Sequence, residues 1–185
     1  LGLPRGLCNW AGTFRVYCSS VAWAVALENR HKPTALLLSR QNIPYAAKRD
    51  LGNISRGAYV LSEPADLGLK KKAQLVLIAT GSEVALALKA QDELARRGIS
   101  VRVVSMPSTT TFDRQSLAYK RSVLPDGLPR VAVEMGVTEG WWKYGCAAVV
   151  GINCYGESAP ANVLFKHFGF TPENVADTVQ AVLGK

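Results

Sequence analysis

Residues 74–88, QLVLIATGSEVALAL, decide the fold. Residues 74–79 are a brief apolar run that halts at Thr80-Gly81, which predicts a strand. A helix should follow at once. Ser82 suits its N-cap, Glu83 suits the positive end of the helix dipole, and Val84, Leu88, Gln91 and Leu94 fall on one face until Gly98 ends it. Downstream the alternation continues. Residues 100–106, SVRVVSM, form a strand closed by Pro107. Asp113 is placed to cap a short helix through Tyr119, and Pro125, Gly127 and Pro129 make a loop into a strand over residues 130–134. Residues 147–152 supply the last strand. Residues 159–168 read as a helix stopped by Gly169, and Thr171-Pro172-Glu173 opens a final one with a cap, a first-turn proline and an early acid.

Upstream, residues 58–61 read as a strand. Residues 43–57 hold Pro44, Gly52, Asn53 and Gly57 without a sustained period, which suits a connection between two folding units with a boundary near Asn53. Before it, residues 34–38, TALLL, form a strand that surfaces at Ser39-Arg40-Gln41-Asn42, and residues 19–30 form a helix opened by a serine. Strands separated by helical crossovers mean a mostly parallel sheet covered on both faces. The fold class is α/β.

Composition narrows the function. A hydrophobic share of 48% and a charged share of 19% are those of a globular protein, without repeats or low-complexity tracts. The formal charge is +8, and residues 1–50 hold seven Lys/Arg against two acids. The longest basic run, Lys70-Lys71-Lys72, lies between two apolar stretches and reads as a solvated loop, so nucleic acid is not expected as a partner. Cys8, Cys18, Cys146 and Cys154 show neither a CxxC pair nor a histidine at metal-ligand spacing, and reduced thiols in the cytoplasm are expected. No stretch has the length of a membrane span, and no signal-peptide pattern opens the chain.

Several residues invite chemistry. Gly81-Ser82-Glu83 is either a plain strand-to-helix turn or, through free N–H groups, an anion cradle, although Glu83 would repel a phosphate. Arg40, at a strand's exit, can present a planar fork to a phosphate or carboxylate, or make a surface salt bridge. His31 and His167 sit in structural settings, and no nucleophilic triad can be assembled around them. Trp141-Trp142-Lys143-Tyr144 can stack on a ligand or wedge into a core. Gly156-Glu157-Ser158-Ala159-Pro160 can be a binding loop or a helix start.

Taken in order, PTALLLSRQN (33–42), GAYVL (57–61), LIATGSEVALA (77–87), VRVVSMPS (101–108), RVAVE (130–134), YGESAPA (155–161) and FKHFGFTPENV (165–175) resemble the transketolases, from about Val21 to the C-terminus. The resemblance implies that residues 1–52 end a pyrimidine-binding domain and residues 53–185 form a transketolase C-terminal domain. That domain would be a three-layer α/β/α unit with a five-stranded, mostly parallel mixed sheet. The family transfers a two-carbon ketol unit between sugar phosphates in the pentose phosphate pathway, using thiamine diphosphate and Mg²⁺ or Ca²⁺, as a homodimer. By the same resemblance Arg40 binds the sugar phosphate. The cofactor-activating Glu, the substrate-channel His residues and the metal ligands of the GDG segment have no counterpart in this chain, so no cofactor or metal is expected on it and the chain alone should lack catalysis. Residues 1–18 depart from the family pattern, which carries acids before the helix where this chain has Gly12-Thr13-Phe14-Arg15-Val16-Tyr17-Cys18. A shifted frame, an alternative start or divergence would each produce that. The competing expectation is a stand-alone regulatory or small-ligand-binding α/β module, with its pocket at the sheet's C-terminal edge.

Overall fold

The computed structural model describes residues 8–11, 16–38, 53–64 and 72–184, with side chains from Ser19 onward. Its first strand, β1 (Cys8–Ala11), has no strong sequence signal, and it forms because β2 (Thr34–Leu37) offers a parallel partner in register Cys8 to Thr34. Between them α1 (Val16–Glu28) starts earlier than Ser19, the expected cap. Its apolar residues run round the helix instead of forming one stripe. Ala22 is buried against Ile54 and Tyr59, with Val21 and Val25 alongside, whereas Trp23 and Leu27 remain 56% and 74% exposed. The 3-10 turn Ile54–Arg56 leads from there to β3 (Tyr59–Ser62).

Among the described residues, five strands form the second sheet: β3, β4 (Leu75–Ala79), β5 (Val101–Ser105), β6 (Arg130–Val133) and β7 (Ala148–Val150). Their spatial order is β3-β5-β4-β6-β7, all parallel except β3, which pairs antiparallel with β5. The five-stranded mixed sheet expected from the resemblance is therefore present. Every residue of β4 is buried. Leu75, Leu77 and Ala79 join one apolar cluster, and Val76 and Ile78 join another, as the two-residue period of a strand requires. The first cluster includes Val84, Ala87 and Leu94 of α2 (Glu83–Arg96) and Val175 and Val179 of α7 (Pro172–Leu183). The second includes Phe112 of α3 (Thr109–Asp113), Val123 of α4 (Leu117–Val123) and Trp141 of α5 (Glu139–Trp142). Three layers result, and α6 (Ala161–His167) lies at the periphery with no fully buried residue.

Capping also differs from expectation further along the chain. Asp113 ends α3 and caps nothing; its carboxylate instead accepts from the Tyr144 hydroxyl at 2.8 Å and from Lys143 at 2.7 Å. Ser108 and Ser116 do the capping, accepting from the backbone N–H of Thr111 and of Tyr119, each at 3.3 Å. Ser82 occupies the N-cap position of α2 without capping it, because its hydroxyl donates to the Glu83 carboxylate at 2.8 Å. Thr171 caps α7 as expected, accepting from Asn174 N–H. Gln91, buried on α2, donates to the Val101 carbonyl at 2.9 Å and ties that helix to β5.

One glycine fixes how β3 meets α3. Gly57 has φ of +88°, and a Cβ there would stand 2.5 Å from both Phe112 N and Ser108 O. Its own carbonyl accepts from Ser108 N–H at 2.9 Å, so the two backbones cannot separate to make room. Gly57→Ala should cost at least about 2 kcal/mol, since positive φ and a backbone clash act together. A urea melt of the variant checks this: the midpoint should fall with the slope unchanged.

Candidate functional site

The chain order supplies a place to look. From β4 the chain passes to β5 on one side, then returns past β4 to β6 on the other, so the crossover direction reverses between β4 and β6. In open α/β sheets, ligands gather beyond the carboxyl ends of strands at such a reversal. Here those ends are Thr80-Gly81-Ser82-Glu83 after β4 and Glu134-Met135-Gly136 after β6. Glu83 is 4% exposed and Glu134 is half-buried.

Two carboxyl groups at this edge set its electrostatics. Burial first, and then the charge of Glu83 in the same direction, push the Glu134 carboxyl up to about 8. Burial also raises Glu83, against which the Ser82 hydroxyl and the backbone N–H of Glu83 stabilise its anion. The surrounding backbone is tightly packed: Glu134 N–H donates to Val150 O at 3.0 Å, and a Cβ on Gly151 would stand 3.0 Å from Gly136 O. Gly81-Ser82-Glu83 is therefore a strand-to-helix turn that brings a carboxyl group to the edge, a poor cradle for an anion and a place where a proton can be held.

The other sequence candidates separate clearly. Arg40 lies outside the described residues. His31 is exposed in the turn before β2, and His167 is exposed on α6, edge-on to Phe168. Trp141 and Tyr144 are buried beside Phe112, so this part of the aromatic cluster packs, while Trp142 stays exposed. Residues 153–163 are exposed throughout, with Tyr155 97% exposed, and α6 begins at Ala161 behind Pro160. Among the described residues, no three His, Cys, Asp or Glu side chains gather to hold a metal ion, and no helix is long and apolar enough to cross a membrane. Sequence reading treated Glu134 only as the end of a strand. Its signal, an acid directly after an apolar run, gains meaning once β6 is known to neighbour β4.

The raised carboxyl has a pH signature. Between the ordinary value near 4.5 and about 8, native Glu134 keeps a proton that the unfolded chain has lost. Its contribution to stability is complete below the ordinary value and is lost as pH rises toward 8. Urea midpoints measured from pH 5 to pH 8 should decline, and Glu134→Gln should flatten that decline. An equal slope in the variant would refute the assignment.

Comparison with known proteins agrees with this architecture. The family model described as "Transketolase-like TK C-terminal domain" matches residues 57–171. Transketolase 1 of Pasteurella multocida is 48% identical over 170 residues, an alignment that takes in 89% of this chain and 25% of that protein. The transketolase structure from Leishmania mexicana superposes with a TM-score of 0.86 at 41% identity, covering 96% of this chain and 25% of that one. A Pichia stipitis transketolase in complex with sedoheptulose 7-phosphate superposes with a TM-score of 0.87 at 38% identity, over 97% of this chain and 25% of that one. The chain thus spans about a quarter of the length of these relatives. With its three-layer fold, strand order and matched segment all pointing one way, the chain belongs to the transketolase family.

Proposed function

We propose that this chain works as the C-terminal quarter of a transketolase, within an enzyme that moves a two-carbon ketol unit between sugar phosphates. The observation that carries this reading is the match of residues 57–171 to the family's C-terminal domain, in a chain a quarter as long as its relatives. Among the described residues no three His, Cys, Asp or Glu side chains gather as a metal's ligands would. By family resemblance we assign thiamine diphosphate and its Mg²⁺ or Ca²⁺ to the remainder of the parent enzyme, where they would supply carbanion stabilisation. This chain's part is to support and to bind.

Two of its features suit that part. α1 and the end of β2 carry Trp23, Leu27, Leu37 and Leu38 to the surface, an apolar face of the kind that further chain covers. Arg40 follows β2 by three residues and is the group we assign to the donor's phosphate. A guanidinium gives a phosphate two parallel charge-assisted bonds and keeps its charge at any working pH. Residues 1–52 then complete a pyrimidine-binding domain, residues 53–185 form the C-terminal domain, and the assembled enzyme is a cytoplasmic homodimer.

Ketol transfer should appear when the chain is combined with the upstream three-quarters of a homologous transketolase, and neither piece should act alone. In that mixture Arg40→Ala should raise KM for phosphorylated donors about 10- to 100-fold, the loss of one or two charge-assisted hydrogen bonds. Steady-state kinetics with xylulose 5-phosphate measures both. Turnover by the isolated 185-residue chain would overturn the proposal.

A further inference from the structure

Four cationic side chains, Lys120, Arg121, Arg130 and Lys143, share one open cleft of about 310 Å³ with two carboxylates, Asp113 and Asp126. Both carboxylates are already engaged. Asp126 pairs with Arg121 at 2.7 Å, and Asp113 pairs with Lys143 at 2.7 Å while accepting the Tyr144 hydroxyl. That leaves Lys120 and Arg130 with backbone carbonyls as their hydrogen-bond partners among the described residues. The Lys120 ammonium donates to Asp113 O, and the Arg130 guanidinium donates to Leu124 O at 3.1 Å, Pro125 O at 3.0 Å and Tyr144 O.

A carbonyl satisfies an N–H group but brings only a partial charge, so it fixes a cation in place without neutralising it. Arg130 shows this most clearly. Its Nε–H is enclosed and has no acceptor among the described residues, while three carbonyls from two chain segments hold the guanidinium fork still. Its orientation is set before any ligand arrives, which lowers the cost of binding. Two cations in excess of the cleft's carboxylates suit a dianion. Beside them the cleft has apolar surface from Leu117, Leu124 and Tyr144, room for an organic group of modest size.

We propose that this cleft binds the phosphate of a small phosphomonoester between Lys120 and Arg130, with the ester's organic part lying over Leu117 and Tyr144. The proposal places this phosphate on Lys120 and Arg130, whereas the donor phosphate is assigned to Arg40. Arg130 opens β6, so the cleft also lies at the opposite end of that strand from Glu134. Occupation would brace α4, α5 and the start of β6 against one another, making the cleft a ligand-responsive contact within the domain.

The test is a ¹H–¹⁵N correlation titration of the 185-residue chain with inorganic phosphate, ribose 5-phosphate and, as a control, ribose. Saturable shifts are expected at the amides of residues 120–124, 126 and 143–145 for both phosphates, with ribose 5-phosphate the tighter, and none for ribose. Affinity should be low-millimolar and should weaken as salt is raised. Lys120→Glu should weaken binding at least about tenfold, the loss of one charge-assisted contact, while leaving the remaining spectrum folded. Arg40→Ala should bind like the parent chain. Shifts that fail to saturate, that centre elsewhere or that persist in Lys120→Glu would overturn the proposal. Loss of binding in Arg40→Ala would likewise overturn it, by showing that the phosphate sits at Arg40, and would leave the assignment of Arg40 standing.

Discussion

Complete burial of β4 is the constraint on which the rest of the molecule depends. Leu75, Val76, Leu77 and Ile78 are all removed from water, alternately toward opposite faces. At about 1.5–3 kcal/mol for each large apolar side chain, this one strand contributes on the order of a whole domain's net stability. That gain exists only if both faces are covered and both edges hydrogen-bonded. Two layers of helices and two parallel neighbours, β5 and β6, are the consequence, and parallel neighbours in turn require crossovers. The reversal of crossover direction between β4 and β6 follows from giving β4 a partner on each side.

Polar groups are distributed by the same requirement. At the carboxyl ends of β4 and β6 burial raises both Glu83 and Glu134, and the charge of Glu83 raises Glu134 further. At the start of β6, Arg130 instead finds backbone carbonyls from loops that surface around α4 and α5. One end of β6 accordingly holds protons and the other holds uncompensated positive charge. Only Val131, Ala132 and Val133, all buried, stand between these two electrostatic environments of opposite character.

How much of this was legible in the sequence depended on whether a residue's role was local. The run from Gln74 to Ala79 and the turn after it could be read because strand, turn and helix signals were adjacent. α7 was legible for the same reason, with Thr171, Pro172 and Glu173 each in its expected place. Asp113 was misread because capping residues are interchangeable in type: Asp113, Ser108 and Ser116 all qualify, and only the three-dimensional partners Lys143 and Tyr144 decide which one is engaged elsewhere. The β-branched run Thr109-Thr110-Thr111 further disguised α3. β1 pairs with a strand across an intervening helix and has too little pattern of its own to be seen. Arg40 stood out only as an arginine at a strand's exit, and the phrase around it, by resemblance, gave it a ligand. The pairing of Glu83 with Glu134 is wholly tertiary and could not be read from spacing.

The two ends of the chain differ in how they satisfy their own apolar surface, and the difference bears on the division of labour. β4, α2 and α7 bury a continuous cluster from residues within 57–183, so that portion carries its own core. α1 is apolar all round, yet the small cluster of Ala22, Ile54 and Tyr59 covers only one side of it. A helix hydrophobic on every side belongs in the interior of a larger body. Its exposed Trp23 and Leu27 therefore give a physical measure of what the rest of a transketolase would contribute in the reading proposed above: a second surface for α1.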